Sequence, residues 1–273
     1  MADHPYRLLV VDIDGTLLGS SPRISDENKQ ALDRVRESGT QFALSTGRSL
    51  KSSLGIIEQL SLDGCHIFFD GALVSSPDLV EEIHVEPIDA GVVRRMVEFA
   101  GSHDIDLELS SAAQYFARRE TWSTRVRRQF FGSEVTLTDF NGLWERERII
   151  KGGLVTTNHE EEAKAAIFSA RFADSIYFSP ARTPAYPGVT FYNLLAPEVS
   201  KGKALAALAV HLGVALAEVM AVGDGANDVS LLATAGLAVA MGNARDELKA
   251  IADYVTLDVE LNGLAEAVNR FLL

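Results

Sequence analysis

Two apolar runs in this chain each end in a cluster of carboxylates, and that pairing restricts the fold more than any other feature. Arg7-Leu8-Leu9-Val10-Val11 leads into Asp12-Ile13-Asp14-Gly15-Thr16, and Val219-Met220-Ala221-Val222 leads into Gly223-Asp224-Gly225-Ala226-Asn227-Asp228. A short run of β-branched and apolar side chains predicts a buried strand of a parallel sheet. The acids then fall at the strand's carboxyl end, where open α/β sheets bind ligands. Both clusters are therefore expected on one sheet edge.

The flanking sequence supports a doubly wound arrangement. Ser25-Asp26-Glu27 opens a helix through Ala31, Leu32 and Val35 that stops at Ser38-Gly39, with Ser25 as N-cap, two acids at the positive end of the dipole and glycine at the stop. Residues 41–45 read as a second strand ending on Thr46, and residues 66–69 as a third. This β-α-β-α-β order predicts a parallel sheet covered by helices.

The rhythm changes between residues 83 and 197. Helices at 90–100 and 159–172 mix with short alternating strands at 105–109, 114–117, 153–157, 175–178 and 190–195. This pattern predicts an inserted α+β domain, with Pro180, Pro184, Pro187 and Pro197 punctuating its end. From Lys201 the first pattern resumes: a helix to Leu212 stopped by Gly213, the Val219 strand, strands at 237–240 and 254–256, and a final helix from Leu261. The expected organisation is an α/β core of residues 1–82 and 198–273 with residues 83–197 inserted.

A chain of 273 residues that is 47% hydrophobic has enough apolar material for a real core. Its net charge of -13 repels phosphate backbones at long range, which argues against nucleic acid as a partner. Small phosphorylated metabolites stay open, because a local cation and a metal overcome the global field within a cleft. The one cysteine, Cys65, forms no intrachain disulfide and reads as a small buried hydrophobe at the entrance to an apolar strand. With no signal-like or membrane-length apolar segment, the expectation is a soluble, cytoplasmic protein, monomer or homodimer, with no membrane partner.

The two acidic clusters, with Thr46-Gly47-Arg48 and Lys201, read as a magnesium-dependent phosphoryl-transfer site. They carry a resemblance. The chain resembles the haloacid dehalogenase superfamily, and within it the Cof-type, subfamily IIB, sugar-phosphatase-like branch. Further matches are Ser200-Lys201-Gly202 before a helix, Val229-Ser230-Leu231-Leu232 after the second acidic cluster, and Ala240-Met241-Gly242-Asn243-Ala244. The resemblance implies a discontinuous Rossmann-like core with a C2-type cap inserted between the second and third motifs.

A phosphate monoester resists water because phosphorus is shielded by negative charge, and a carboxylate nucleophile splits the reaction through an aspartyl-phosphate. Asp12 is the candidate nucleophile. Magnesium takes oxygen ligands and holds one or two protein carboxylates, which Asp12 and Asp224 can supply. The resemblance implies the Asp14 backbone carbonyl as a third protein ligand; Asp228 completes the candidate metal set, directly or by orienting a coordinated water. Asp14 is the candidate general acid and base. Thr46 and Lys201 answer the charge of the phosphoryl group, Lys201 also pairing with Asp12, and Gly15 and Thr16 bring backbone N–H groups close to the phosphate.

Several residues keep two readings. Gly47 and Arg48 read as phosphate-binding, with a surface salt bridge as the rival for Arg48. Asn227 either contacts the site by fixing the acidic loop or caps the following helix, and Thr46 alone would read as a helix N-cap. The stretch Arg118, Arg119, Arg125, Arg127 and Arg128, with Trp122, Phe130 and Phe131, reads as a solvated helix face over an aromatic underside, the alternative being selection of an anionic substrate. Lys151-Gly152 falls near a position where caps of this family place a specificity residue. The six histidines show no ligand spacing and read as structural. One departure stands out: Asp70-Gly71-Ala72 occupies the place of the branch's usual Asn-Gly-Ala, so a carboxylate accepts where an amide would donate.

The expected activity is hydrolysis of small phosphorylated metabolites, sugar or polyol phosphates first. A phosphomutase with the same site is the second enzyme reading, and a phospho-aspartate signalling switch is the rival of a different class. Dehalogenation needs neither Asp14 nor the Asp224–Asp228 pair.

Overall fold

A computed structural model describes residues 4–131, 134–181 and 186–273, with residues 129–131 described by their backbone alone. The chain divides into two compact units, one of Met1–Arg48, Gly55–His84 and Ser200–Leu273, the other of Ser49–Leu54 and Val85–Val199.

The first unit opens with β1 (Leu8–Asp12), buried throughout. Helix α1 (Asp26–Glu37) starts where the Ser25 hydroxyl accepts from the Asn28 N–H, and it turns Ala31, Leu32 and Val35 into the core. Next come β2 (Gln41–Ser45), α2 (Leu50–Gln59) and β3 (His66–Phe68). The chain then doubles back as β4 (Leu73–Ser75), antiparallel to β3, and continues as β5 (Glu82–Val85). The sequence pattern anticipates neither strand. A single turn at Phe69–Gly71 makes the reversal between β3 and β4, with Phe69, Asp70 and Gly71 at φ 52°, 57° and 104°.

The second unit contains α3 (Ala90–Ser102), β6 (Glu108–Ser110), β7 (Tyr115–Ala117), α4 (Trp122–Phe131), β8 (Val135–Leu137) and α5 (Leu143–Arg146). It continues with β9 (Lys151–Thr156), α6 (His159–Phe172), β10 (Tyr177–Ala181) and β11 (Thr190–Leu195). Its sheet runs β10-β11-β9-β6-β7-β8, antiparallel except between β7 and β8. Helices α3 and α6 bury Val93, Met96, Phe168 and Phe172 with Leu109, Leu154 and Leu194 of the sheet. The expected strand at 105–109 forms its ladder only from Glu108, opposite Gly153, although Ile105 and Leu107 still enter the core. Pro180 is not a loop residue. It lies inside β10, an edge strand, where a missing N–H removes no bond on the open side. Pro184 and the side chains of Phe130 and Phe131 lie outside the described residues.

The chain returns to the first unit with α7 (Lys201–Leu212), β12 (Val219–Gly223), α8 (Val229–Thr234), β13 (Leu237–Ala240), α9 (Asp246–Lys249), β14 (Tyr254–Val255) and α10 (Gly263–Phe271). Ser200 caps α7 by accepting from the Lys203 N–H, and Gly213 closes it in the left-handed region at φ 63°. The sheet runs β14-β13-β12-β1-β2-β3-β4-β5, and its pairs from β14 to β3 are parallel. This is a Rossmann-like α/β core. Because β12 lies beside β1, with Val11 opposite Val222, the two acidic loops leave adjacent strands at the same edge. Among the described residues no helix is long and apolar enough to cross a membrane.

Candidate active site

The centre of the acidic edge is a buried cation. Lys201, the first residue of α7, is 1% exposed and donates from Nζ to Asp12 Oδ1 at 2.6 Å, to Asp228 Oδ1 at 2.6 Å and to the Ser45 carbonyl at 3.3 Å. The three acceptors come from the ends of β1, β2 and the loop after β12, so one ammonium fixes three segments distant in sequence. Burial by itself would lower the Lys201 pKa, but Asp12 and Asp228 overcome it and raise it, so the cation is permanent. Both oxygens of Asp228 are engaged: the second accepts the backbone N–H groups of Asp224 at 3.0 Å and Gly225 at 2.9 Å. It therefore shapes the loop that presents Asp224.

Asp224 is held from two sides. The Thr16 hydroxyl donates to its Oδ1 at 3.2 Å, and Asn243 Nδ2 approaches its Oδ2 at 3.4 Å. Asn243 also donates to the Gly15 carbonyl at 2.8 Å while its Oδ1 accepts the Val259 N–H at 2.9 Å. Asn243 has no assigned role in the sequence reading. Its signal there is its place in the match Ala240-Met241-Gly242-Asn243-Ala244. Gly15 has a different part from the one expected. Its N–H already donates to the Leu18 carbonyl at 2.8 Å, and it sits at φ +90° with a would-be Cβ only 2.2 Å from Asp224 Oδ2. The position needs glycine to leave room for a carboxylate.

Asp14 points outward. Arg48 donates to it twice, from Nε to Oδ2 at 2.8 Å and from a terminal nitrogen to Oδ1 at 2.5 Å. Thr46 is buried, and its hydroxyl accepts the Arg48 N–H at 3.1 Å. It caps no helix, because α2 begins only at Leu50. Asp70, in the left-handed region, accepts from Asn227 Nδ2 at 2.8 Å, and a side chain at Gly47 would meet the same carboxylate at 2.7 Å. Of the two readings for Asn227, the geometry is that of a loop tie.

These positions crowd negative charge. Asp12, Asp224 and Asp228 each offer an oxygen within 4.8 Å of the others. Burial, with Asp228 adding to it, raises Asp12 well above ordinary carboxylate values despite Lys201, and the same two causes push Asp224 up to about 6. One ammonium does not balance three carboxylates. An all-oxygen donor set with surplus charge fits a hard divalent cation, with Asp12, Asp224 and Asp228 as the carboxylates that could hold it.

Within the second unit, the arginines are mostly spoken for. Arg119 pairs with Asp106 at 2.7 Å and Asp104 at 3.2 Å, Arg128 with Glu120 at 2.8 Å, and Arg127 with the buried Glu108 at 2.9 Å while lying over Tyr115 and Phe191. Arg118 and Arg125 are exposed. Lys151 opens β9 half-buried, and a Cβ at Gly152 would meet the Leu194 side chain at 2.9 Å. In the first unit, Cys65 is buried, and burial together with Glu81 pushes its thiol up to about 12, which removes it as a nucleophile at neutral pH.

The family model described as haloacid dehalogenase-like hydrolase matches residues 9–268. The chain belongs to the haloacid dehalogenase-like hydrolases. Phosphatase YwpJ of Bacillus subtilis is 30% identical over 97% of this chain and all of its own length. Among solved structures, the phosphatase BT1666 from Bacteroides thetaiotaomicron is 28% identical with a TM-score of 0.78, covering 98% of this chain and 96% of that one. The subclass IIB sugar phosphatase BT4131 is 26% identical with a TM-score of 0.77, covering 97% and 98%. This haloacid dehalogenase-like hydrolase is thus of the Cof-type, subclass IIB branch, an enzyme of the phosphoric monoester hydrolase class.

Proposed function

We propose that the enzyme hydrolyses small phosphorylated metabolites, sugar or polyol phosphates first, by phosphoryl transfer to Asp12. The observation that carries this reading is the buried Lys201 ammonium, 2.6 Å from both Asp12 and Asp228, which holds a carboxylate fixed at a strand end. The Asp12 oxygen attacks phosphorus as the bond to the substrate oxygen breaks, and Asp14 gives that oxygen its proton. Asp14 then takes a proton from the water that attacks the aspartyl-phosphate, phosphate leaves, and the Asp12 carboxylate is restored. Lys201 stays charged and offsets the charge gathered at Asp12 through both steps.

Asp12 and Asp224, with the Asp14 carbonyl as the resemblance implies, would hold magnesium, which when bound would supply a second positive charge at the transferring group. Thr46 and Arg48 are the phosphate-facing groups in this reading, with Arg48 exchanging Asp14 for a phosphoryl oxygen. Residues 83–197 act as the substrate-selecting cap. Curated relatives act on related chemistry, among them the Bacillus subtilis 5-amino-6-(5-phospho-D-ribitylamino)uracil phosphatase YcsE, 28% identical over 99% of this chain.

The test is magnesium-dependent phosphate release from p-nitrophenyl phosphate and a panel of sugar and polyol phosphates, native against Asp12→Asn. Metal-dependent turnover lost in the variant is expected. Absence of turnover on every ester, with both proteins folded, would overturn hydrolysis and favour a mutase or a phospho-aspartate switch.

A further inference from the structure

Three residues outside the acidic edge converge within the first unit. Cys65 precedes β3, Glu81 precedes β5, and His211 lies in the last turn of α7. Cys65 Sγ is 3.5 Å from Glu81 Oε2, and His211 Nε2 is 3.3 Å from Glu81 Oε1. One donor atom from each residue falls within 4.8 Å of the other two. From the geometry of this triad we infer a second cation site, for a zinc-class divalent ion, with Cys65, Glu81 and His211 as its ligands.

The distances and the donor types both favour that class. Zinc bonds of about 2.3 Å to sulfur and about 2.0 Å to nitrogen or oxygen, set at the tetrahedral angle, give S···O and N···O edges of about 3.5 and 3.3 Å. The separations present are of that size, 3.5 Å from Cys65 Sγ to Oε2 and 3.3 Å from His211 Nε2 to Oε1, but they run to the two different oxygens of Glu81, so ligation through one oxygen requires its carboxylate to turn. A thiolate, an imidazole and a carboxylate form a mixed set that suits zinc or cobalt(II) and does not suit magnesium, which takes oxygen. Thiolate and carboxylate carry two negative charges, which one divalent ion neutralises. The thiol proton leaves to solvent as the sulfur–metal bond forms.

The site is built on ordered elements and open on one side. Cys65 is buried, whereas the side chains of His211 and Glu81 are 35% and 54% exposed, so water can take the fourth position. A bound ion would tie the loop before β5 to the end of α7. The rival arrangement is a metal-free chain of hydrogen bonds from thiol to carboxylate to imidazole.

The test uses the full chain stripped of metal with a chelator, held in excess magnesium, and titrated with cobalt(II). The expected result is a saturable near-ultraviolet sulfur-to-cobalt charge-transfer band with the visible bands of a tetrahedral centre, reversed by zinc and accompanied by proton release. Cys65→Ser abolishes the ultraviolet band, and Glu81→Gln and His211→Asn each weaken cobalt binding at least tenfold. Unchanged circular dichroism keeps the readout separate from folding. Oxygen ligation at the aspartates gives no sulfur band, so failure here leaves the proposed phosphatase chemistry intact. No band in the native chain, or a band of equal affinity in both Glu81→Gln and His211→Asn, would overturn the site.

Discussion

Arg48 grips Asp14 as a fork, with two hydrogen bonds of 2.8 and 2.5 Å to its two oxygens. A carboxylate held this way cannot exchange a proton with substrate until the guanidinium finds another anion, and a phosphoryl group is such an anion. The Asp14 side chain is 61% exposed, so the pair adds little to stability. Asp14→Asn is expected to change the unfolding free energy by less than about 1 kcal/mol while lowering phosphate release by roughly 10²–10⁴-fold. Urea melts and steady-state kinetics on the same preparation check both halves.

Lys201 behaves oppositely, because its removal strands two buried carboxylates. Lys201→Met is expected to lower the unfolding free energy by about 3–5 kcal/mol and abolish turnover. Combining it with Asp12→Asn removes one of the stranded charges, so the double variant loses less than the two single losses added together. Urea denaturation of the three variants measures the difference.

Gly15→Ala places a methyl group 2.2 Å from Asp224 Oδ2 on a backbone at φ +90°. The expected cost is about 1–3 kcal/mol of stability, with a several-fold higher magnesium concentration for half-maximal rate. A magnesium titration of activity would contradict this account if its midpoint did not move.

His66 is fully buried at the start of β3, and its Nδ1 accepts the Leu44 N–H at 3.4 Å. Burial lowers its pKa from 6.5 to about 4. The unfolded chain therefore binds the proton first, and the stability His66 contributes is full above pH 6.5 and declines as pH falls toward 4. The loss across that window is roughly 3 kcal/mol. Unfolding measured over this range in the native chain and in His66→Gln should differ in slope, with the native chain steeper.

Asp70 occupies the left-handed region at φ 57°, which asparagine also tolerates, and its role as acceptor for Asn227 survives in an amide oxygen. Asp70→Asn is expected to fold with stability within about 1 kcal/mol of native. Its melting curve should overlay the native one, while Asp70→Val, a β-branched residue at positive φ, should melt distinctly earlier.

The sequence legibly carried everything that local chemistry enforces. Buried strands at 8–12 and 219–223 follow from short apolar runs that contain valine, the start of α1 from Ser25, and the end of α7 from Gly213. The aspartates at the ends of those strands were legible because strand polarity alone puts them at one edge. The short strands Leu73–Ser75 and Glu82–Val85 were not, since three or four residues are too few to show a period, and the reversal at Asp70-Gly71 is a single turn. Pro180 inside a strand was likewise invisible, because only the sheet order shows which strand is at the edge.

By itself, the sequence determined the residue types of the site and the α/β class, because strand burial, helix caps and acidic loops act over a few neighbouring positions. Only the tertiary structure decided how those residues divide their work. It engaged both oxygens of Asp228, gave Arg48 to Asp14, put Asn243 against Asp224, and brought Cys65, Glu81 and His211 together. Apart from the local bonds of Asp228 to the Asp224 and Gly225 N–H groups, these pairings join segments whose separation along the chain says nothing about distance in space. The contacts among the aspartates, Lys201, Arg48 and Asn243 form because the parallel sheet gathers the carboxyl ends of its strands on one edge, and the buried charges there must find partners; the Cys65, Glu81 and His211 triad lies away from that edge.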